Sequence, residues 1–211
     1  MHIPDGFLTP SIWGSLDILS GSFLAVGLRK VSHHLEERAI PLMGVLAAFV
    51  FAAQMINLPI GGGTSAHFLG GTLVGILLGP WAGLVLLAVV LIVQCFLFQD
   101  GGVAALGANI FNMGIIGSLL SAYLYRGLVR GLKIKSPMFW SGFLASWVSI
   151  SFSAIACTAE LASSRVISWR VGLYIIVGTH FLLGFLEGLV TGTILESLVR
   201  TRPDLLKFSK T

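Results

Sequence analysis

The chain opens Met1-His2-Ile3-Pro4-Asp5. Its first two residues place three kinds of nitrogen within a few bonds: an α-amine, the backbone amide of His2 and the His2 imidazole. Together these can wrap one metal ion in fused small rings, leaving a fourth in-plane position. His67, which ends the stretch Gly61-Gly62-Gly63-Thr64-Ser65-Ala66-His67, is the candidate for that position. Four nitrogens in a plane suit nickel(II) or copper(II), whereas zinc favours a tetrahedron and magnesium or calcium take oxygen. Only a strongly polarising ion that gains from planar donors displaces an amide proton. The chelate requires Met1 to be kept, and a bulky second residue such as histidine disfavours removal of an initiator methionine. Taken singly, both histidines are ordinary, because chain ends fray and a loop histidine usually makes a plain hydrogen bond. What gives them weight is a scaffold that brings them to one face.

Composition identifies that scaffold. Of 211 residues, 55% are hydrophobic and 10% charged, with a mean hydropathy of +0.93; soluble domains carry roughly 25% charged residues. The expected class is an all-α integral membrane protein in contact with lipid, with no nucleic-acid partner. Apolar runs approach the roughly 20 residues that cross a bilayer as a helix, and no set of alternating segments suggests an outer-membrane barrel. Seven spans are expected in one compact bundle forming a single domain over 1–211: Ser11 to Arg29, Ile40 to Asn57, His67 to Gly79, Pro80 to Phe98, Leu106 to Tyr125, Met138 to Ala162 and Arg170 to Val199. The third is short, since about 13 residues rise only about 20 Å. Irregular backbone must share its depth, and the glycine-rich segment before His67 supplies it as a loop folded into the outer mouth.

Lysine and arginine placement sets the expected orientation. With the N-terminus outside and the C-terminus cytoplasmic, eleven basic residues face inward (Arg29, Lys30, Arg38, Arg126, Arg130, Lys133, Lys135, Arg200, Arg202, Lys207, Lys210) and two, Arg165 and Arg170, face outward. This orientation also puts Met1 and His67 on the same outer face. The formal charge of +4 follows from that placement. Cys95 and Cys157 lie in apolar runs without paired spacing and read as core cysteines.

Small residues recur at spacing four in Gly44, Ala48, Ala52 and in Gly184, Gly188, Gly192, a pattern that lets helices approach closely. The second ladder reads as internal packing; the first is divided between packing and a docking face for another membrane protein. Asp5, Thr64, Ser65, Gln99, Asp100, Asn109 and Asn112 lie near the expected outer mouth and are candidates for orienting His67 or fixing the N-terminal loop. Asp17, His180, Glu187 and Glu196 are ionisable residues inside spans; structural roles are expected, with Asp17 paired to His180. His33 and His34 read as a solvated cytoplasmic end.

MHIPDGFL, GGTSAHFLGG, LLGPWAGLVLLAVVLIVQ and FQDGGVAALGANIFNMG resemble the substrate-binding membrane subunits of energy-coupling-factor transporters for nickel and cobalt, the NikM/CbiM family. The likeness covers nearly the whole chain and is densest over residues 1–8 and 61–117. It implies a seven-helix bundle in a prokaryotic cytoplasmic (inner) membrane, with a metal held by the amine of Met1, the amide and imidazole of His2, and His67. It implies as partners a transmembrane coupling subunit and two cytoplasmic ATPases, with a small accessory membrane subunit as a further candidate. Nickel is the expected ion, on the wording around His67 and Asn109, and cobalt the alternative; no cofactor is expected.

Other classes fit less well. An intramembrane serine protease would use His180 beside the glycine ladder, but GxSG is missing. HExxH is missing too, and so is GxxxxGK[ST], so neither a metalloprotease nor a self-contained ATP motor is expected. A secondary metal permease would place its ligands at mid-membrane in repeated halves; here the best ligands lie at one end and no repeat is evident.

Overall fold

The computed structural model describes residues 1–34, 37–56, 58–60 and 64–210. Helices form as α1 (Pro10–His34), α2 (Ile40–Met55), α3 (Gly71–Leu78), α4 (Pro80–Phe98), α5 (Leu106–Gly131), α6 (Pro137–Ser163) and α7 (Trp169–Thr201). Five of them, α1 and α4 to α7, are long and apolar enough to cross a membrane; α2 is a shorter apolar helix. Proline in the first turn of α2, α4 and α6 starts each helix where its missing N–H costs nothing. Part of α5 (Ile110–Leu120) and a short stretch of α7 (Leu173–Val177) are wound as π-helix.

Two corrections to the expected spans follow. Helices α1 and α5 run past Arg29 and Tyr125, because hydropathy marks only the apolar part and the basic turns continue the same backbone hydrogen bonding. The third segment is helical only over Gly71–Leu78. It is bracketed by Gly70 at φ +69° and Gly79 at φ +90°, left-handed positions that an L side chain resists, so His67 to Gly70 stay outside the helix. A short antiparallel hairpin also interrupts the otherwise helical chain, with strand β1 (Leu58–Ile60) paired to β2 (Thr64–Ala66) and Leu58 opposite Ala66. Gly61 to Gly63, where the tight turn is expected, lie outside the described residues.

Helix α3 is buried along its whole length because glycines on α3 itself and on α4 let the backbones meet closely. A Cβ at Gly71 would lie 2.6 Å from the Gly117 carbonyl of α5, one at Gly75 2.6 Å from the Ser118 carbonyl, and one at Gly83 of α4 2.7 Å from the Gly75 Cα. The Gly184, Gly188, Gly192 ladder packs inside as well, with Gly188 against the Phe143 carbonyl and Gly192 against that of Phe139 on α6. Gly44, Ala48 and Ala52 behave oppositely. They lie on the exposed face of α2, whose buried residues are Leu46, Val50 and Gln54, and a Cβ at Gly44 would touch nothing within 4 Å.

The N-terminal segment is part of the core. Met1, Ile3 and Leu8 are buried in one cluster with Leu69, Leu84, Leu91, Met113 and Ile150. Burial of such side chains contributes about 1.5–3 kcal/mol each, which pins a stretch that would otherwise fray.

Candidate metal centre

Two long-range contacts assemble the centre. The Met1 nitrogen lies 2.8 Å from His67 Nε2, and the His2 and His67 rings stack at 4.7 Å between centroids with 30° between planes. The N-terminal segment reaches this position because the α4–α5 loop and α5 clasp it. Asn109 Oδ1 accepts the Ile3 N–H at 2.8 Å and its Nδ2 donates to the Ile3 carbonyl at 3.1 Å. Gly102 N–H donates to the same carbonyl at 2.9 Å. The Asp5 carboxylate accepts the N–H groups of Val103 and Ala104 at 3.0 and 2.8 Å. A Cβ at Gly102 would collide with Asp5, so the loop approaches this closely only because Gly102 has no side chain.

The hydrogen bonds also set the tautomers. His67 Nδ1 is 2.9 Å from the Phe68 carbonyl; a carbonyl only accepts, so Nδ1 carries the proton and Nε2 presents its lone pair to Met1. His2 Nε2 is 3.1 Å from Gln94 Oε1, which places the His2 proton on Nε2. His2 Nδ1 is buried without a hydrogen-bond partner, with Asp100 Oδ1 at 3.5 Å. Burial keeps all three donors uncharged: it lowers the Met1 amine to about 6, against a weaker upward pull from Cys157 and Asp100. Burial, then the adjacent amine, takes His2 to about 3 and His67 well below the usual histidine range. At neutral pH the cluster therefore offers nitrogen lone pairs with little competition from protons, as a metal ligand set requires.

The remaining candidates divide. Asp5, Asp100 and Asn109 join the N-terminal clasp or touch His2. Asn112 does not, since its Nδ2 donates to Glu160 at 2.8 Å. Gln99 is an exposed left-handed residue (φ +55°) ending α4, its N–H bonded to the Gln94 carbonyl. The side chains of Thr64, Ser65 and His34 lie outside the described residues; His33 is exposed. The expected Asp17–His180 pair does not form. Asp17 Oδ1 instead accepts the Gly107 N–H at 2.8 Å, and His180 Nδ1 bonds the Ile176 carbonyl of its own helix at 2.8 Å. Glu196 pairs with Arg200 at 2.9 Å near the end of α7. Gln94 was missed by sequence reasoning, although a lone glutamine near the end of the apolar run Leu91-Ile92-Val93-Gln94-Cys95 was its visible signal.

Residues 2–205 match the family described as CbiM, cobalt uptake substrate-specific transmembrane region. This chain belongs to the CbiM family. The family member is 42% identical over 98% of its length to a putative fused nickel transport protein, NikMN, of Archaeoglobus fulgidus, covering 68% of that protein. It is 37% identical to a putative metal transport protein of Haloquadratum walsbyi, with 98% of this chain and 93% of the relative covered. It is also 34% identical to the cobalt transport protein CbiM of Geobacter sulfurreducens, with 98% and 61% covered. Against a solved structure of a truncated transition-metal transporter the TM-score is 0.88 at 32% identity, covering 95% of this chain and 99% of that one. The protein is thus a multi-pass membrane protein of a nickel and cobalt transport family.

Proposed function

We propose that this CbiM-family protein captures a divalent transition-metal ion, nickel(II), as transported substrate, through the amine of Met1, the amide nitrogen and Nδ1 of His2, and Nε2 of His67. The observation that carries this is the 2.8 Å separation of the Met1 nitrogen from His67 Nε2. Two nitrogens about 2 Å from a shared ion and at right angles to one another lie about 2.8 Å apart. The corner of a square of donors is therefore already spaced for the ion, and the Met1–His67 hydrogen bond occupies its place. The fused rings of Met1 and His2 supply the other two corners, and His2 Nδ1 is buried without a hydrogen-bond partner. Cobalt is the alternative within the same chemistry, and both metals appear in the names of relatives.

The protein works in this proposal as one domain in a prokaryotic cytoplasmic membrane, with seven membrane segments, the metal cluster outside and the C-terminus inside. It delivers the ion to an ATP-driven importer made with a transmembrane coupling subunit and two cytoplasmic ATPases, and a small accessory membrane subunit is a further candidate. The exposed face of α2 at Gly44, Ala48 and Ala52 supports docking of a coupling helix there. X-ray absorption and visible spectra of the purified protein loaded with nickel or cobalt test the site: four nitrogen donors in a plane are expected, and an oxygen-rich or tetrahedral shell overturns it.

A further inference from the structure

We propose that Glu187 of α7 is a positioning residue for His67, acting through a single peptide group, with Gln54 of α2 bracing the same turn. This inference rests on the assignment of His67 as a metal donor. The peptide joining Phe68 to Leu69 is hydrogen-bonded at both edges. Its carbonyl, that of Phe68, accepts from His67 Nδ1 at 2.9 Å, and its N–H, that of Leu69, donates to Glu187 Oε2 at 2.7 Å. The result is a continuous line from carboxylate through peptide to imidazole, ending at Nε2.

Histidine ligands commonly donate their second ring N–H to a carboxylate or carbonyl, which fixes the tautomer and strengthens the donor nitrogen. Here the carbonyl does so directly and the carboxylate does so at one remove. Hydrogen bonds in such a chain polarise one another, so a carboxylate on the Leu69 N–H makes the Phe68 oxygen a better acceptor for the His67 proton.

The surroundings show that Glu187 is committed to this turn. It is buried within α7, where an uncompensated carboxylate is costly, and the groups that meet it are hydrogen-bond donors. Besides Leu69, Oε1 accepts the Gly70 N–H at 3.1 Å and the Ser146 hydroxyl at 3.4 Å. Two of its three donors are backbone groups within three residues of His67. From the other side, the buried Gln54 Nε2 donates to the Leu69 carbonyl at 2.9 Å. The peptide groups flanking Leu69 are therefore held from α7 and from α2, and the ring of His67 is oriented by what holds them. Glutamine at 187 offers only one accepting oxygen and turns an NH2 toward a backbone N–H, which breaks the line while keeping the volume.

A double-mutant cycle on the purified full chain tests this, with nickel as titrant: wild type, Glu187→Gln, His67→Ala and the double variant, each with a thermal melt. A residue acting through His67 loses its effect when His67 is gone. Glu187→Gln is expected to raise the nickel Kd about tenfold or more in the wild-type background and to leave the weaker Kd of His67→Ala unchanged. Equal losses in both backgrounds, or no loss in the first, overturn the inference. A wild-type protein that does not bind nickel overturns the metal site itself, a distinct outcome. If Glu187→Gln does not fold, Gln54→Leu carries the same cycle, with the same non-additivity expected and additive losses overturning the inference.

Discussion

The side-chain amide of Asn109 matches both polar groups of the Ile3 backbone, accepting its N–H at 2.8 Å and donating to its carbonyl at 3.1 Å. It thereby pairs with the N-terminal segment as a neighbouring strand would, one residue beyond His2. This contact holds the backbone next to His2.

Replacing Asn109 with Leu keeps the volume and removes both bonds. The Ile3 carbonyl keeps the Gly102 N–H, but leaving the buried Ile3 N–H unsatisfied costs about 1–3 kcal/mol, so nickel affinity should fall by roughly tenfold while the helices remain intact. Equilibrium metal titration, paired with hydrogen exchange at Ile3, checks this: unchanged affinity with a loosened Ile3 amide would show that the chelate does not need the clasp.

The amine makes the second prediction. An acetyl group or an added residue before Met1 should abolish high-affinity nickel binding while the membrane helices remain folded. Binding at full strength by an N-terminally extended protein would remove Met1 from the ligand set.

His2→Ala and His67→Ala should each cut metal uptake severely, because one loses a chelate arm and the other the closing donor. His33→Ala should not, since His33 is exposed at the end of α1. Uptake of radioactive nickel by cells carrying each variant separates these outcomes, and a severe defect in His33→Ala would argue for a second metal position.

The pH dependence has a defined sign. Burial lowers the Met1 amine from 8.0 to about 6, so the docked N-terminus is fully stabilised above pH 8 and loses that stabilisation as pH falls toward about 6. With the proposed ligand set, metal binding would displace the His2 amide proton at every pH, and a second proton, from the amine, only near and below about 6. Proton release measured by calorimetry in buffers of different ionisation heat should therefore rise from about one to about two per nickel across that value. A step near pH 8 instead would mean that the amine is solvated in the metal-free protein.

Leucine in place of Ala48 or Ala52 should leave metal binding of the isolated protein intact, because both positions are on the exposed face of α2. Co-purification with the proposed coupling subunit and uptake in cells should fall, since close helix approach depends on missing bulk. Lost metal binding with retained assembly would reverse the assignment of that face.

Membrane class and the positions of the apolar runs were legible in the sequence because both depend on local composition and on helix length. The three nitrogens of Met1 and His2 were legible for the same reason, being joined by covalent bonds. Helix ends were less so: α1 and α5 continue through basic turns that hydropathy does not register, and α3 stops where Gly70 and Gly79 take left-handed backbone. What only the tertiary structure decided are the pairings across long sequence separations. Asp17 goes to the Gly107 N–H and not to His180; Gln94 holds the His2 tautomer; Glu187 reaches the Leu69 and Gly70 amides from 118 and 117 residues away. A buried polar side chain must find a partner of opposite role wherever packing brings one. Neither its own identity nor its spacing from its neighbours says which partner that is, so those contacts exist only once the helices have met.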